Sequence, residues 1–244
     1  MKTASRTILL TVIVVAILSV PRPVQSQPDR PAQPSDIRSF VRQIYIEGVP
    51  YERAIRFDAN TAVPILLSML ADPNEEEYWP NIVITLGMLG DERAVDPLIK
   101  FLEQDVPGPQ LSRSHYVAKT GVLMALGYLI NKSASQEALT YLRDSLKPDV
   151  WRQRGLSWMG PFNRDAEARD VQLTKMAILG LALSAHPAAA EALRSFQRPP
   201  QTEPERRLQA RLSTAVAEAL REHRVIATEG LVNYDRRRER GPTP

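Results

Sequence analysis

The stretch Leu86-Gly-Met-Leu-Gly-Asp-Glu-Arg-Ala-Val-Asp-Pro-Leu-Ile-Lys-Phe-Leu102 decides the fold. Both of its ends are apolar at helical spacing, and its middle is a short polar turn. Just upstream, Ile82, Val83, Leu86 and Leu89 recur at i, i+1, i+4 and i+7, the stripe of an amphipathic helix. Gly90 to Arg93 leaves room only for a tight connection, and Ala94-Val95, Leu98-Ile99 and Leu102 begin a second stripe. Pro97 falls in the first turn of that second helix, where a missing N–H is tolerated. The stretch reads as a helical hairpin.

Working outward, the hairpin recurs. Ala62-Val63, Leu66-Leu67 and Leu70 match Ala94-Val95, Leu98-Ile99 and Leu102 at a shift of 32 residues. A weaker copy is Ala138-Leu139, Leu142 and Leu146, and a truncated one is Ala192-Leu193 and Phe196. Between these copies lie partner helices with a Leu-Gly pair: Leu86-Gly87, Leu126-Gly127 and Leu179-Gly180. A fourth partner, Arg206 to Arg224, has Leu220 at that place without the glycine. The leucines are spaced by 40, 53 and 41 residues, a period that signals stacked helical pairs. A glycine inside a helix costs about 1 kcal/mol against alanine. Its threefold recurrence at one place in the unit points to two helices that approach closely there.

The unit resembles a HEAT repeat of the kind first grouped with phycobilisome lyases. That family's unit ends a first helix with Ala-Leu-Gly, turns through a Gly-Asp-x-Arg-like link, and opens a second helix with Ala-Val-x-x-Leu. The resemblance covers residues 61–146 best and 166–196 less closely. It departs at the basic residue usual near the middle of the first helix, which is Trp79, Lys119 and Gln172 in successive copies. The resemblance implies an all-α, right-handed α-solenoid of four to five antiparallel helix pairs, HEAT-like, over residues 35–232. Some relatives attach bilin pigments and another acts on DNA lesions, but no functional residue of either carries over to this sequence.

Composition agrees with packed helices. Of the 244 residues 43% are hydrophobic, 24% charged and only 6% aromatic. With no cysteine, disulfide scaffolds, thiol nucleophiles and Cys-based metal sites are ruled out. Lys2 and Arg6, the apolar run Ile8 to Val20, and compact residues at Val24 and Ser26 read as a signal peptide, 1–26, cleaved after Ser26. The run is shorter than the ~20 residues of a usual span, and an uncleaved anchor is the other reading. Removing 1–26 takes away Lys2, Arg6 and Arg22 and leaves 28 basic against 28 acidic residues. The positive balance of the full chain therefore belongs to the signal, and nothing is left to favour nucleic acid. The mature chain is expected in the periplasm or outside the cell, with no stable membrane span.

Residues 27–34 are Pro/Gln-rich and read as a disordered linker, and Asn233 to Pro244 as a frayed, charged tail. Ser35 or Asp36 is expected to cap an opening helix from Asp36 to Glu47, with Phe40, Val41, Ile44 and Tyr45 as its apolar side. Links between pairs are longer than the turns within them. They should share one edge, where binding often collects.

The longest link, Lys147 to Asp165, holds Trp151, Arg152, Arg154, Trp158, Met159 and Phe162, types that dominate binding hot spots. It is either a partner-binding lip or a loop folded back to plug the stack. Tyr78-Trp79, after the acidic run Glu75-Glu76-Glu77, belongs to another link of that edge. The acids there either attract a basic partner or simply open a helix. Arg236 to Arg240 could touch an anionic lipid or wall polymer, or stay solvated. No Gly-x-Ser-x-Gly, His-Glu-x-x-His, phosphate-binding glycine loop or EF-hand pattern occurs. His115, His186 and His223 have no neighbours at ligand spacing, so no catalytic, metal or cofactor-binding residue is assigned. The expected role is an exported, non-catalytic scaffold for an unidentified protein or peptide. The alternative is an enzyme or enzyme subunit acting on an envelope substrate.

Overall fold

A computed structural model describes residues 34–106 and 110–239 of the chain. The expected signal peptide, the linker up to residue 33 and residues 240–244 lie outside the described residues. Local side chains cap several of the helices. Asp58 accepts from the N–H groups of Asn60 (3.4 Å) and Thr61 (3.1 Å) and caps α3, Ala59–Leu70. Asp91 caps the 3₁₀ turn Glu92–Ala94 that leads into α5, Val95–Glu103. Ser112 caps α6, Arg113–Ser133, and Ser135 caps α7, Gln136–Asp144. Asp165 caps α9, Ala166–Ser184, and His186 caps α10, Pro187–Phe196, through Nδ1. The remaining helices are α1 (Pro34–Val41), α2 (Tyr51–Ala54), α4 (Trp79–Leu89), α8 (Val150–Gln153) and α11 (Glu203–Glu239).

The chain is all-α. Among the described residues the only β pairing is an isolated parallel bridge, Gln110 to Met159. Three hairpins carry the repeat, α4/α5, α6/α7 and α9/α10, with α3 before them and α11 after. Each turns through a left-handed residue after its first helix: Gly90 (φ 68°), Ala134 (φ 57°) and Ala185 (φ 49°). The first helices pack in sequence, α4 on α6, α6 on α9, α9 on α11, while α7 and α10 each bridge two of them. Along the shared spine Ile82, Leu86, Leu98, Leu102 and Leu123 are fully buried, and each contributes about 1.5–3 kcal/mol.

The Leu-Gly glycines sit where backbones meet. A methyl at Gly87 would overlap the backbone of Ala125, one at Gly127 the backbone of Gly180, and one at Gly180 the Leu123 carbonyl. Only glycine lets α4, α6 and α9 come this close.

Two boundaries differ from expectation. The opening helix ends at Val41 rather than Glu47. Asn81, at the start of α4, donates through Nδ2 to the carbonyls of Val41 (2.9 Å) and Gln43 (3.0 Å) and draws the chain out of helical register. Tyr45 turns inward to Phe40, and Ile44, expected on the buried side, is 94% exposed. At the other end, residues 233–239 do not fray: α11 continues to Glu239, past a break at Gly230 (φ 78°, ψ 159°).

Candidate functional site

The long links touch in order along one edge. Arg42 pairs with Glu75, Ser112 donates to Glu76, Ser157 donates to Asp105, and Leu111 N donates to Met159 O at 2.8 Å. The link Lys147 to Asp165 is held down there by buried cations. Lys119, inside α6 and fully buried, donates from Nζ to the carbonyls of Phe101 (2.6 Å), Leu102 (3.1 Å) and Gln104 (2.7 Å). These carbonyls end α5, where the helix dipole is negative, so the site suits an ammonium. Burial lowers the Lys119 pKa to about 7, with Asp105 opposing. Burial, with help from the Lys119 charge, also lowers the neighbouring His115. Arg169, another buried cation, donates to the carbonyls of Leu156 (2.8 Å) and Trp158 (3.0 Å) and pairs with Asp170.

The tryptophans expected on a binding lip are core residues instead. Trp158 is 1% exposed, donates from Nε1 to Leu102 O at 3.0 Å, and has Lys119 Nζ 5.4 Å from its ring. Trp151 is 2% exposed and donates from Nε1 to Thr174 Oγ1 at 2.9 Å. Trp79 is buried against Phe101 and His115 and donates to Met69 O. Their indoles are large and apolar, each with one N–H that finds a buried carbonyl or hydroxyl, so burial wins over display. Arg154 is also structural. Its guanidinium lies 3.8 Å from the Tyr141 ring centroid and 4.7 Å from that of Trp151, donates to Ser145 Oγ, and pairs with Glu103. Burial raises the Tyr141 pKa and keeps its phenol neutral. Of the expected contact residues Arg152 and Phe162 are exposed, Met159 and Tyr78 half-buried.

Two clefts lie on either side of Lys147-Pro148. The first, of about 650 Å³, lies between α7, α10 and the start of α11. Its apolar lining includes Leu146, Phe196 and Leu208, and Arg143, Arg198 and Glu191 stand around them. The second, of about 570 Å³, is lined by Trp151, Arg152, Asp170, Thr174, Arg207 and Arg211 among others. Lys147, Pro148 and Leu208 belong to both. In the second cleft burial raises the Asp170 carboxyl, against the hydrogen bond from Arg169. Among the described residues no group of three or more His, Asp or Glu side chains could hold a metal ion. No helix there is long and apolar enough to cross a membrane.

Residues 81–104 match the family model of the PBS lyase HEAT-like repeat. No curated protein and no solved structure matches the chain. The HEAT-like repeat so marked runs from α4 through the Gly90 turn to the end of α5, and the all-helical fold around it fits a helical repeat protein. The sequence did not reveal the first cleft, because its walls come from three separate segments of the chain, 140–148, 191–201 and 205–209. Lys119 did carry a signal: a lone cation between Ala118 and Leu123 in an otherwise apolar helix.

Proposed function

We propose that the mature chain is an exported interaction module, a right-handed HEAT-like solenoid that binds an extended segment of a protein partner along the paired clefts. The supporting observation is that the two clefts are contiguous across Lys147-Pro148. Together they offer a trough with an apolar patch in the first cleft and charges of both signs along the second. An extended peptide could lay apolar side chains on Leu146, Phe196 and Leu208 while its backbone stays near polar groups, the usual division of labour at interfaces. Contacts move away from Trp151 and Trp158, which are committed to the core, to Arg143, Arg152 and Arg198. Photo-crosslinkers at these three positions, in cells lysed gently, should capture one protein, and Leu208→Asp should abolish its capture. Equal capture by the variant, or none by the wild type, would end this reading. Export is tested by N-terminal sequencing of the chain recovered from the envelope or medium, which should begin at Gln27.

One observation favours a second reading, a catalytic role on an envelope substrate. Asp170 is a carboxyl with a raised pKa in a cleft, close enough to Asp149 and Arg152 to feel their charges. That combination suits a general acid. Hydrolysis or transfer on envelope material that Asp170→Asn abolishes would establish it.

A further inference from the structure

The stretch of α11 beyond Gly230 is attached differently from the rest of that helix. Before the break Leu212, Val216, Ala219, His223 and Ile226 are buried in one stripe, on the helix that packs against α9. After it, among residues 231–237, Leu231 is buried, with Val232 and Tyr234 partly so. Two polar ties from this stretch reach back to α2. Asp235 Oδ2 accepts from Tyr51 N at 3.2 Å, and Arg236 pairs with Glu52. Arg237 folds back to Glu229 at 3.2 Å. Glu52 Oε1 is buried and accepts no hydrogen bond, so the Arg236 charge beside it is what offsets its burial. Gly230 occupies a conformation that L-residues rarely adopt, and a methyl there would meet nothing within 4 Å. Its glycine therefore serves the bend and not a close approach.

We propose that Leu231–Glu239 is a strap, hinged at Gly230 and latched to α2 by charge, that opens without unfolding the helices beneath it. Opening separates α11 from α2 and frees Arg236 and Arg237, now engaged by Glu52 and Glu229. The polar ties account for the ease of release: ion pairs at half-exposed side chains are weak and screened by salt, whereas the stripe on the α9 side is neither. The idea is independent of the cleft reading.

Hydrogen exchange of the full chain, read by peptide, tests it. At low salt the amides of 231–239 should exchange faster than those of 205–226 but slower than a free peptide. Raising sodium chloride to half-molar should speed 231–239 about five-fold and leave 205–226 unchanged. Glu52→Arg should do the same at low salt, and adding Arg236→Glu should restore the slow rate. The salt arm needs no variant, so misfolding of Glu52→Arg would not spoil the test. Exchange of 231–239 in step with 205–226, indifference to salt, or failure of the double charge swap to rescue would each overturn the strap.

Discussion

Two glycines of one helix should respond in opposite ways to the same substitution. Gly127 and Gly121 both lie in α6 and both are buried. An alanine Cβ at 127 would lie 2.7 Å from the Cα and from the carbonyl carbon of Gly180. Carbon pairs prefer about 3.5–4.0 Å, so α6 and α9 would have to separate by roughly 1 Å. Overpacking of this kind costs about 1–3 kcal/mol, and here the obstacle is backbone, which cannot rotate aside, so the cost falls in the upper part of that range, about 2–3 kcal/mol. The better helix propensity of alanine returns about 1 kcal/mol, so Gly127→Ala should lose about 1–2 kcal/mol net. At Gly121 the added Cβ would meet only Ile84 Cδ1 and Val83 Cγ1, both at 3.9 Å, ordinary contact. There the propensity gain stands alone, and Gly121→Ala should gain about 0.5–1 kcal/mol. Urea unfolding followed by circular dichroism at 222 nm reads both, and a difference of 1 kcal/mol moves Tm by about 2–4 °C in a domain of this size. Stability at or above wild type for Gly127→Ala would refute the close backbone approach. A loss at Gly121 would refute the assignment of open space beside it.

Further outcomes follow from the same geometry. Ala134→Gly and Ala185→Gly, at left-handed positions where glycine is at ease, should each stabilise by about 0.5–1 kcal/mol in the same titration. Gly160→Ala would drive a methyl into the Tyr116 ring, which packs edge-on to Trp158, and should red-shift tryptophan emission. Gly155→Ala, with nothing within 4 Å, should leave the spectrum unchanged despite its left-handed backbone. Asp58, Asp91 and Glu205 all have lowered pKa values, through the Thr61 hydroxyl, Arg93, and the Gln201 and Thr202 amides respectively. A lowered carboxyl stabilises the fold above its unfolded pKa of about 4, and the contribution disappears as pH falls through the folded value. Tm measured from pH 6 downward should therefore drop below about pH 4, and Asp91→Asn should flatten part of that slope.

Much of the helical layout could be read from residue order, because its causes are local. The Leu-Gly pairs announced the close approach that Gly87, Gly127 and Gly180 make. The failures share one feature, a cause far away in sequence. Nothing near Ile44 tells that Asn81, almost forty residues on, will end the first helix at Val41. Nothing near Asp235 tells that it will meet Tyr51, so the tail read as frayed. For the link 147–165 the difficulty was chemical. Trp, Arg and Met favour hot spots and well-satisfied cores alike, and composition does not separate the two. The decision rested with Lys119, Thr174 and Arg169, which present or engage the polar partners those side chains need.

The place of the longest link has a physical reason in the junctions between hairpins. Each junction must satisfy the carbonyls that end a second helix. At the first, Trp79 Nε1 donates to Met69 O, closing α3. At the next, Lys119 donates to three carbonyls that close α5. At the last, Gln209 Nε2 donates to Phe196 O (2.7 Å) and Arg198 O (2.8 Å), closing α10. Trp79 and Lys119 stand seven residues before Leu86 and Leu126, and Gln209 stands seven before the fully buried Val216. Val216, one helical turn earlier than Leu220, therefore holds the repeat position in the fourth unit. The third junction is the exception. Gln172 occupies the equivalent place, seven before Leu179, but among the described residues no hydrogen bond joins it to α7. Arg154 closes α7 instead, donating to Tyr141 O (3.4 Å) and Ser145 Oγ (2.9 Å), and Arg154 comes from the link. The 147–165 segment thus supplies the cap that its own repeat lacks. That role ties Arg154, and Trp151 stacked beside it, to the body of the fold.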